Sequence, residues 1–233
     1  MNVGGSSRRA LVAGAGIAAS GRVDRARQRD LVRRGYDAIS HAYRDDQGRS
    51  NPLSGEDVTR YAGWVEELAS LIPAGSRVLD LGCGAGVPGT KLLAEGGFEV
   101  VGVDISQVQT DRARRLVPGA TFVTADMAAW DCESNSFDAV VSFYALIHLP
   151  LDDQPELLGR IRRWLRPDGM FLGIVGQDRW TGVQDYLGAP MFWDHADVAT
   201  YLDWLKRAKL QPVWDRYVPE GEVGHVLVLA RAV

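Results

Sequence analysis

The 233-residue chain is predicted to be an α/β protein. Its expected centre is a doubly wound, mostly parallel seven-stranded sheet with helices on both faces, a terminal antiparallel hairpin and an N-terminal helical cap. Three observations carry this expectation. From Ser76 onward, short apolar runs alternate with amphipathic stretches, the pattern of a parallel sheet covered on both faces. The first run, 78–81, breaks into a turn holding Gly82, Gly84, Gly86 and Gly89. The last two runs, 211–218 and 225–230, are joined by a link too short for a parallel crossover.

Residues 1–22 read as a flexible extension. Ser7-Arg8-Arg9 before a weak apolar run only faintly imitates an export signal, and Gly14-Ala15-Gly16 imitates a nucleotide loop without a strand before it. Residues 23–75 form the expected cap. Its first helix spans 23–45, where Val32, Tyr36, Ile39 and Tyr43 share one face. Ser54 and Asp57 open a second, with a stripe of Val58, Tyr61, Val65, Leu68 and Leu71. Residues 76–233 form the sheet domain. Strands are expected over 78–81, 98–103 ending on Asp104, 121–124 ending near Asp126, 137–143, and 170–175 after the turn 166–169. Helices fall at 90–95, at 107–116 behind a Ser106 cap, and after Asp153, with Leu157, Leu158, Ile161, Trp164 and Leu165 as the stripe. The insertion 177–193, with Trp180, Tyr186, Met191, Phe192 and Trp193, reads as a substrate lid. Asp194 is the expected cap of a helix bearing Val198, Tyr201, Leu202 and Leu205.

Composition narrows the function. Net charge is −4, yet residues 1–34 carry eight Arg against Asp24 and Asp30, leaving an acidic body. That balance argues against nucleic acid as the main partner. No run approaches the roughly twenty apolar residues of a membrane span. Cys83 and Cys132 form neither a disulfide framework nor a metal spacing, and no His/Asp/Glu cluster supplies one, so no metal is expected and a cytoplasmic location is. Both a monomer and a homodimer stay open.

The glycine turn carries the chemistry. Gly84 to Gly89 spells G-x-G-x-x-G, but Asp80 lies inside the preceding apolar run and Gly82-Cys83 lies beyond it. The better alignment is acidic-x-Gly-x-Gly-x-Gly: Asp80, Gly82, Gly84, Gly86. Asp104, twenty-two residues after Gly82 at a strand end, can accept both ribose hydroxyls of an adenosine-containing ligand. This combination resembles the class I, Rossmann-like S-adenosylmethionine-dependent methyltransferases. The resemblance covers about residues 76–176 and the tail hairpin; 166–169 is also similar to the family's Leu-Lys-Pro-Gly-Gly turn. Val87-Pro88 departs from its common Thr-Gly.

The resemblance implies S-adenosyl-L-methionine as cofactor. Asp80, Gly82, Cys83 and Gly84 would form its loop, Asp104 and Ile105 would meet the ribose side, and Asp126 with Met127 the adenine. Tyr43 and Phe143 offer aromatic faces to a sulfonium. Ser142-Phe143-Tyr144-Ala145 replaces the Asn/Asp-Pro-Pro-Tyr motif of amino-group methylases. The expected acceptor is therefore a small, partly apolar molecule methylated at oxygen, met by Tyr36, Tyr144, Trp180, Met191 and Trp193. His148, just past the fourth strand, is the candidate general base and His225 its rival. The alternatives are a small-molecule N-methyltransferase, an NAD(P)-dependent oxidoreductase, or a catalytically silent S-adenosylmethionine-binding protein.

Overall fold

The computed structural model describes residues 25–52, 57–221 and 223–233. The extension expected over 1–22 and the helix start expected at Ser54 lie outside the described residues. The elements run α1 (Arg25–Tyr43), α2 (Arg60–Ala69), β1 (Arg77–Leu81), α3 (Gly89–Glu95), β2 (Glu99–Asp104), α4 (Gln107–Leu116), β3 (Thr121–Thr124) and β4 (Phe137–Ser142). They continue with α5 (Gln154–Trp164), β5 (Leu165–Gly176), β6 (Trp180–Tyr186), β7 (Ala189–His195), α6 (Val198–Arg207), β8 (Leu210–Glu220) and β9 (Val223–Ala232).

Seven strands form one sheet in the order β3-β2-β1-β4-β5-β9-β8. β1, β2, β3, β4 and β5 pair in parallel, while β9 pairs antiparallel with both β5 and β8. The chain leaves β1 for β2 on one side and later returns to β4 on the other. The crevice at the carboxyl ends of β1 and β4 is thus the topological switch point, where open α/β sheets bind ligands. One apolar layer packs α5 and α6 on the sheet through Leu157, Leu158, Ile161, Trp164, Tyr201 and Leu205. The opposite layer packs α2 and α3 through Tyr61, Val65, Leu68 and Leu93.

Four local expectations are corrected. Leu71 is 43% exposed and Ile72 is buried in its place, because α2 ends at Ala69 and the chain turns. α3 starts at Gly89, one residue before the expected helix, with Pro88 at its N-cap. β5 starts at Leu165, with Asp168 at φ 60° and a register shift against β4 between Phe137 and Ala139. Asp194 does not cap α6. The hairpin of β6 and β7 runs on to His195, so Asp194 stays in it, accepting the Thr181 hydroxyl at 2.6 Å and the Leu151 N–H at 2.7 Å. The cap is Asp197, which accepts the Thr200 N–H at 2.9 Å.

α1 lies against this hairpin and α4. Val32 and Ile39 share an apolar cluster with Ala189, Met191 and Phe192. Gly35 permits the approach: a Cβ there would stand 2.8 Å from Met191 Cε and 3.1 Å from the Pro190 carbonyl. Several arginines of α1 are paired rather than merely solvated. Arg25 meets Asp152 and Asp153, Arg29 meets Asp126 and Asp153, and Arg33 meets Asp30 and Asp37.

Candidate active site

Three adjoining cavities occupy the switch-point crevice. The first, of about 640 Å³, is bordered by the glycine turn, the ends of β2, β3 and β4, and α1. It brings together Tyr43, Gly82, Gly84, Asp104, Ile105, Asp126, Met127 and Phe143. The second, of about 420 Å³, holds Asp80 and Cys83 with Arg44 and Tyr61. Every residue assigned to the cofactor from sequence lines one of these two spaces. Gly82 is a glycine for two reasons: its φ is +74°, and a Cβ would stand 2.1 Å from Ala145 Cβ.

Asp104 ends β2 and joins the loops. Its Oδ2 accepts the Gly84 N–H at 2.8 Å and its Oδ1 the Ser106 N–H at 2.9 Å. Each oxygen keeps acceptor capacity for a further donor. Burial pushes its pKa up to about 6, against the two N–H bonds, and the Asp37 charge adds to the rise. Asp80, beneath the turn, accepts the Thr90 hydroxyl at 2.6 Å. Burial pushes it to about 7, the Thr90 bond opposing and the Asp104 charge adding. Burial also drives the Cys83 thiol well above its usual range, so it is no nucleophile. Asp126 is engaged on both oxygens, with Arg29 Nε at 2.7 Å and the Ala128 N–H at 2.8 Å. An adenine amino group would share that carboxylate with Arg29.

The third cavity, of about 490 Å³, shares Tyr36, Tyr43, Tyr144 and His148 with the first. Trp193 and His225 line it too. Two expected substrate residues do not. Met191 is fully buried between the hairpin and α1, because β7 turns its side chain onto Val32 and Ile39. Trp180 lines none of the three spaces; its ring lies 6.1 Å from Trp193 and 6.3 Å from His195.

His148 is buried in a 3₁₀ turn after β4. Its Nδ1 stands 2.7 Å from the Phe192 carbonyl, which can only accept, so Nδ1 carries the proton. Burial holds its pKa near 4, the carbonyl bond opposing, and the ring is neutral at pH 7. Nε2 then offers a lone pair, which the Tyr36 hydroxyl meets at 2.9 Å. The lone pair therefore reaches the cavity through Tyr36.

Sequence reading missed Arg29, Arg44, Tyr61 and Gln109, all of which line the first or second cavity. Arg29 and Arg44 looked like ordinary surface charge and Tyr61 like core. Gln109 had one usable signal, its place in the first turn behind the Ser106 cap.

Residues 78–169 match a model described as a methyltransferase domain. A sterol 24-C-methyltransferase of Gibberella zeae is 30% identical over 148 residues, which are 61% of this chain and 37% of that protein. A ubiquinone biosynthesis O-methyltransferase of Pseudomonas aeruginosa is 29% identical over 150 residues, 61% of this chain and 62% of that one. The chain thus spans less than two thirds of the length of these relatives. Among solved structures, the 1,6-didemethyltoxoflavin-N1-methyltransferase of Burkholderia thailandensis, with S-adenosylhomocysteine bound, is similar in fold. Its TM-score is 0.71, over 93% of each chain at 22% identity.

Proposed function

Because the chain belongs to the class I, Rossmann-like S-adenosylmethionine-dependent methyltransferases, we propose that it transfers a methyl group from S-adenosylmethionine to a hydroxyl of a small, partly apolar molecule. One observation carries the reading. Asp104 closes a glycine turn at the switch point and keeps acceptor capacity on both oxygens toward the first cavity, which it lines. The residues present suit the cosubstrate. Asp104 would hold the ribose hydroxyls, Asp126 and Met127 the adenine, and Arg44 beside Tyr61 the methionine carboxylate. Tyr43 and Phe143 present aromatic faces that tolerate a sulfonium.

The bound cosubstrate supplies an electrophilic methyl. The protein's share is to align the acceptor, keep water out and take a proton. The third cavity would hold the acceptor, since it meets the first at Tyr36, Tyr43, Tyr144 and His148. As the acceptor oxygen gains its methyl, its proton passes to Tyr36 Oη, and the proton of Tyr36 moves to His148 Nε2. A base with a pKa near 4 suits a hydroxyl that loses its proton readily, such as a phenol or enol. His225 lines only the third cavity, away from the cosubstrate, which disfavours it as the base.

Calorimetric titration tests the reading. S-adenosylhomocysteine should bind and NAD should not. Asp104→Ala should weaken binding by about 2–3 kcal/mol, the loss of charge-assisted hydrogen bonds. Unchanged affinity in a folded variant would remove Asp104 from the site.

A further inference from the structure

The third cavity has a charged end that the proton path does not use. Glu220 closes β8, and His225 lies across the turn in β9. Both line the third cavity and neither lines the first, so they stand at the end remote from the cosubstrate space. The Glu220 side chain is 9% exposed. Its Oε2 meets His225 Nδ1 at 3.0 Å, whereas Oε1 is buried with no hydrogen-bond partner among the described residues. A buried carboxylate oxygen left without a donor carries its full desolvation cost, so an atom kept in this state beside a cavity marks a place for a ligand's donor. The surrounding surface says which kind. Tyr43, Tyr144, Tyr186 and Trp193 line the same space, and the Tyr144 and His225 rings stand 5.6 Å apart. Aromatic faces attract a cation, and a carboxylate hydrogen-bonds it. A neutral hydroxyl would satisfy Oε1 but gain nothing from the rings.

We infer that Glu220 recognises the acceptor, taking through Oε1 a protonated amine carried at the end of the molecule remote from the methylated oxygen. His225 holds Oε2 and so positions the carboxylate. The acceptor class is then a hydroxyl compound with an apolar body and a cationic nitrogen, a sharper statement that rests on the methyltransferase reading above.

The test uses matched probes on the full chain saturated with S-adenosylhomocysteine. Tyramine is compared with 4-propylphenol, and dopamine with 4-propylcatechol, each pair differing in the ammonium group. In at least one pair the amine should bind tenfold or more tightly, a preference that Glu220→Gln should erase while S-adenosylhomocysteine affinity stays unchanged. If Glu220→Gln fails to fold, the wild-type preference decides alone. No amine preference in either pair, including no binding at all, overturns the assignment, as does a preference that survives in Glu220→Gln. Normal S-adenosylhomocysteine binding alongside such a result leaves the methyltransferase reading standing. Loss of that binding in the wild type removes both.

Discussion

Asp80 is 3% exposed, and its burial has a measurable consequence. An acid lifted from 3.8 to about 7 on folding binds more protons in the native state than in the unfolded chain throughout that window. Stability therefore falls as pH rises from about 4 to 7, by on the order of 1.4 kcal/mol per unit at most. Asparagine can still accept the Thr90 hydroxyl but does not ionise. Urea unfolding at several pH values should show Asp80→Asn gaining on the wild type across this window by a few kcal/mol. A difference independent of pH would mean that Asp80 titrates normally. The proton path is tested at the same scale. His148→Gln should lower turnover about 100-fold or more, and Tyr36→Phe by a comparable factor, with S-adenosylmethionine affinity nearly unchanged in both. If Tyr36→Phe retains full turnover, the proton does not pass through that hydroxyl. Asp80, Gly82 and Asp104 were legible in the sequence, because a strand end, a positive φ and a carboxylate each leave a local mark. Arg29 was not, because Asp126 and Asp153 lie far along the chain, and Glu220 was not, because most of the cavity it lines is built from residues distant in sequence.

At the scale of elements, the cap helix is held by one buried cation. Arg112 in α4 is 2% exposed and reaches α1 and the loop after it. It donates to the Ser40 carbonyl at 2.7 Å and the Arg44 carbonyl at 2.9 Å, and also pairs with Asp46. Arg112→Met should keep the apolar stem and strip the Arg44 carbonyl of its donor, while the Ser40 carbonyl keeps the Arg44 N–H at 3.3 Å. One orphaned carbonyl costs roughly 1–3 kcal/mol, while half-exposed Asp46 recovers water, so a loss of about 2 kcal/mol is expected in chemical denaturation. Because α1 carries Tyr36 and Tyr43, cosubstrate affinity should fall as well. A loss below about 1 kcal/mol would show that the apolar contacts of Val32 and Ile39 hold α1 unaided.

At the scale of the molecule, α1 and the β6–β7 hairpin act as one cap. They share the cluster of Val32, Ile39, Met191 and Phe192, and His148 is bonded to both, through Tyr36 and the Phe192 carbonyl. Closure over the crevice should therefore be concerted. In hydrogen exchange, S-adenosylhomocysteine should slow the amides of α1 and of β7 together, while those of β8 away from the crevice stay unchanged. Protection of one segment without the other would separate the helix from the hairpin.

The sequence by itself determined the order of the seven sheet strands and the helices between them, though not the β6–β7 hairpin inside the insertion. It also determined the antiparallel tail and the glycine turn with its two carboxylates. Each rests on local physics, the two- and 3.6-residue periods and the steric freedom of glycine, which need no distant partner. The tertiary structure alone decided which residues line the cavities. It turned Met191 into core and moved the helix cap from Asp194 to Asp197. It set the Tyr36 hydroxyl against His148 Nε2 and brought the buried carboxylate of Glu220 to the lining of the third cavity. Such roles depend on which of two faces a side chain takes, and the packing of elements distant in sequence, as Tyr36 is 112 positions from His148, sets that choice.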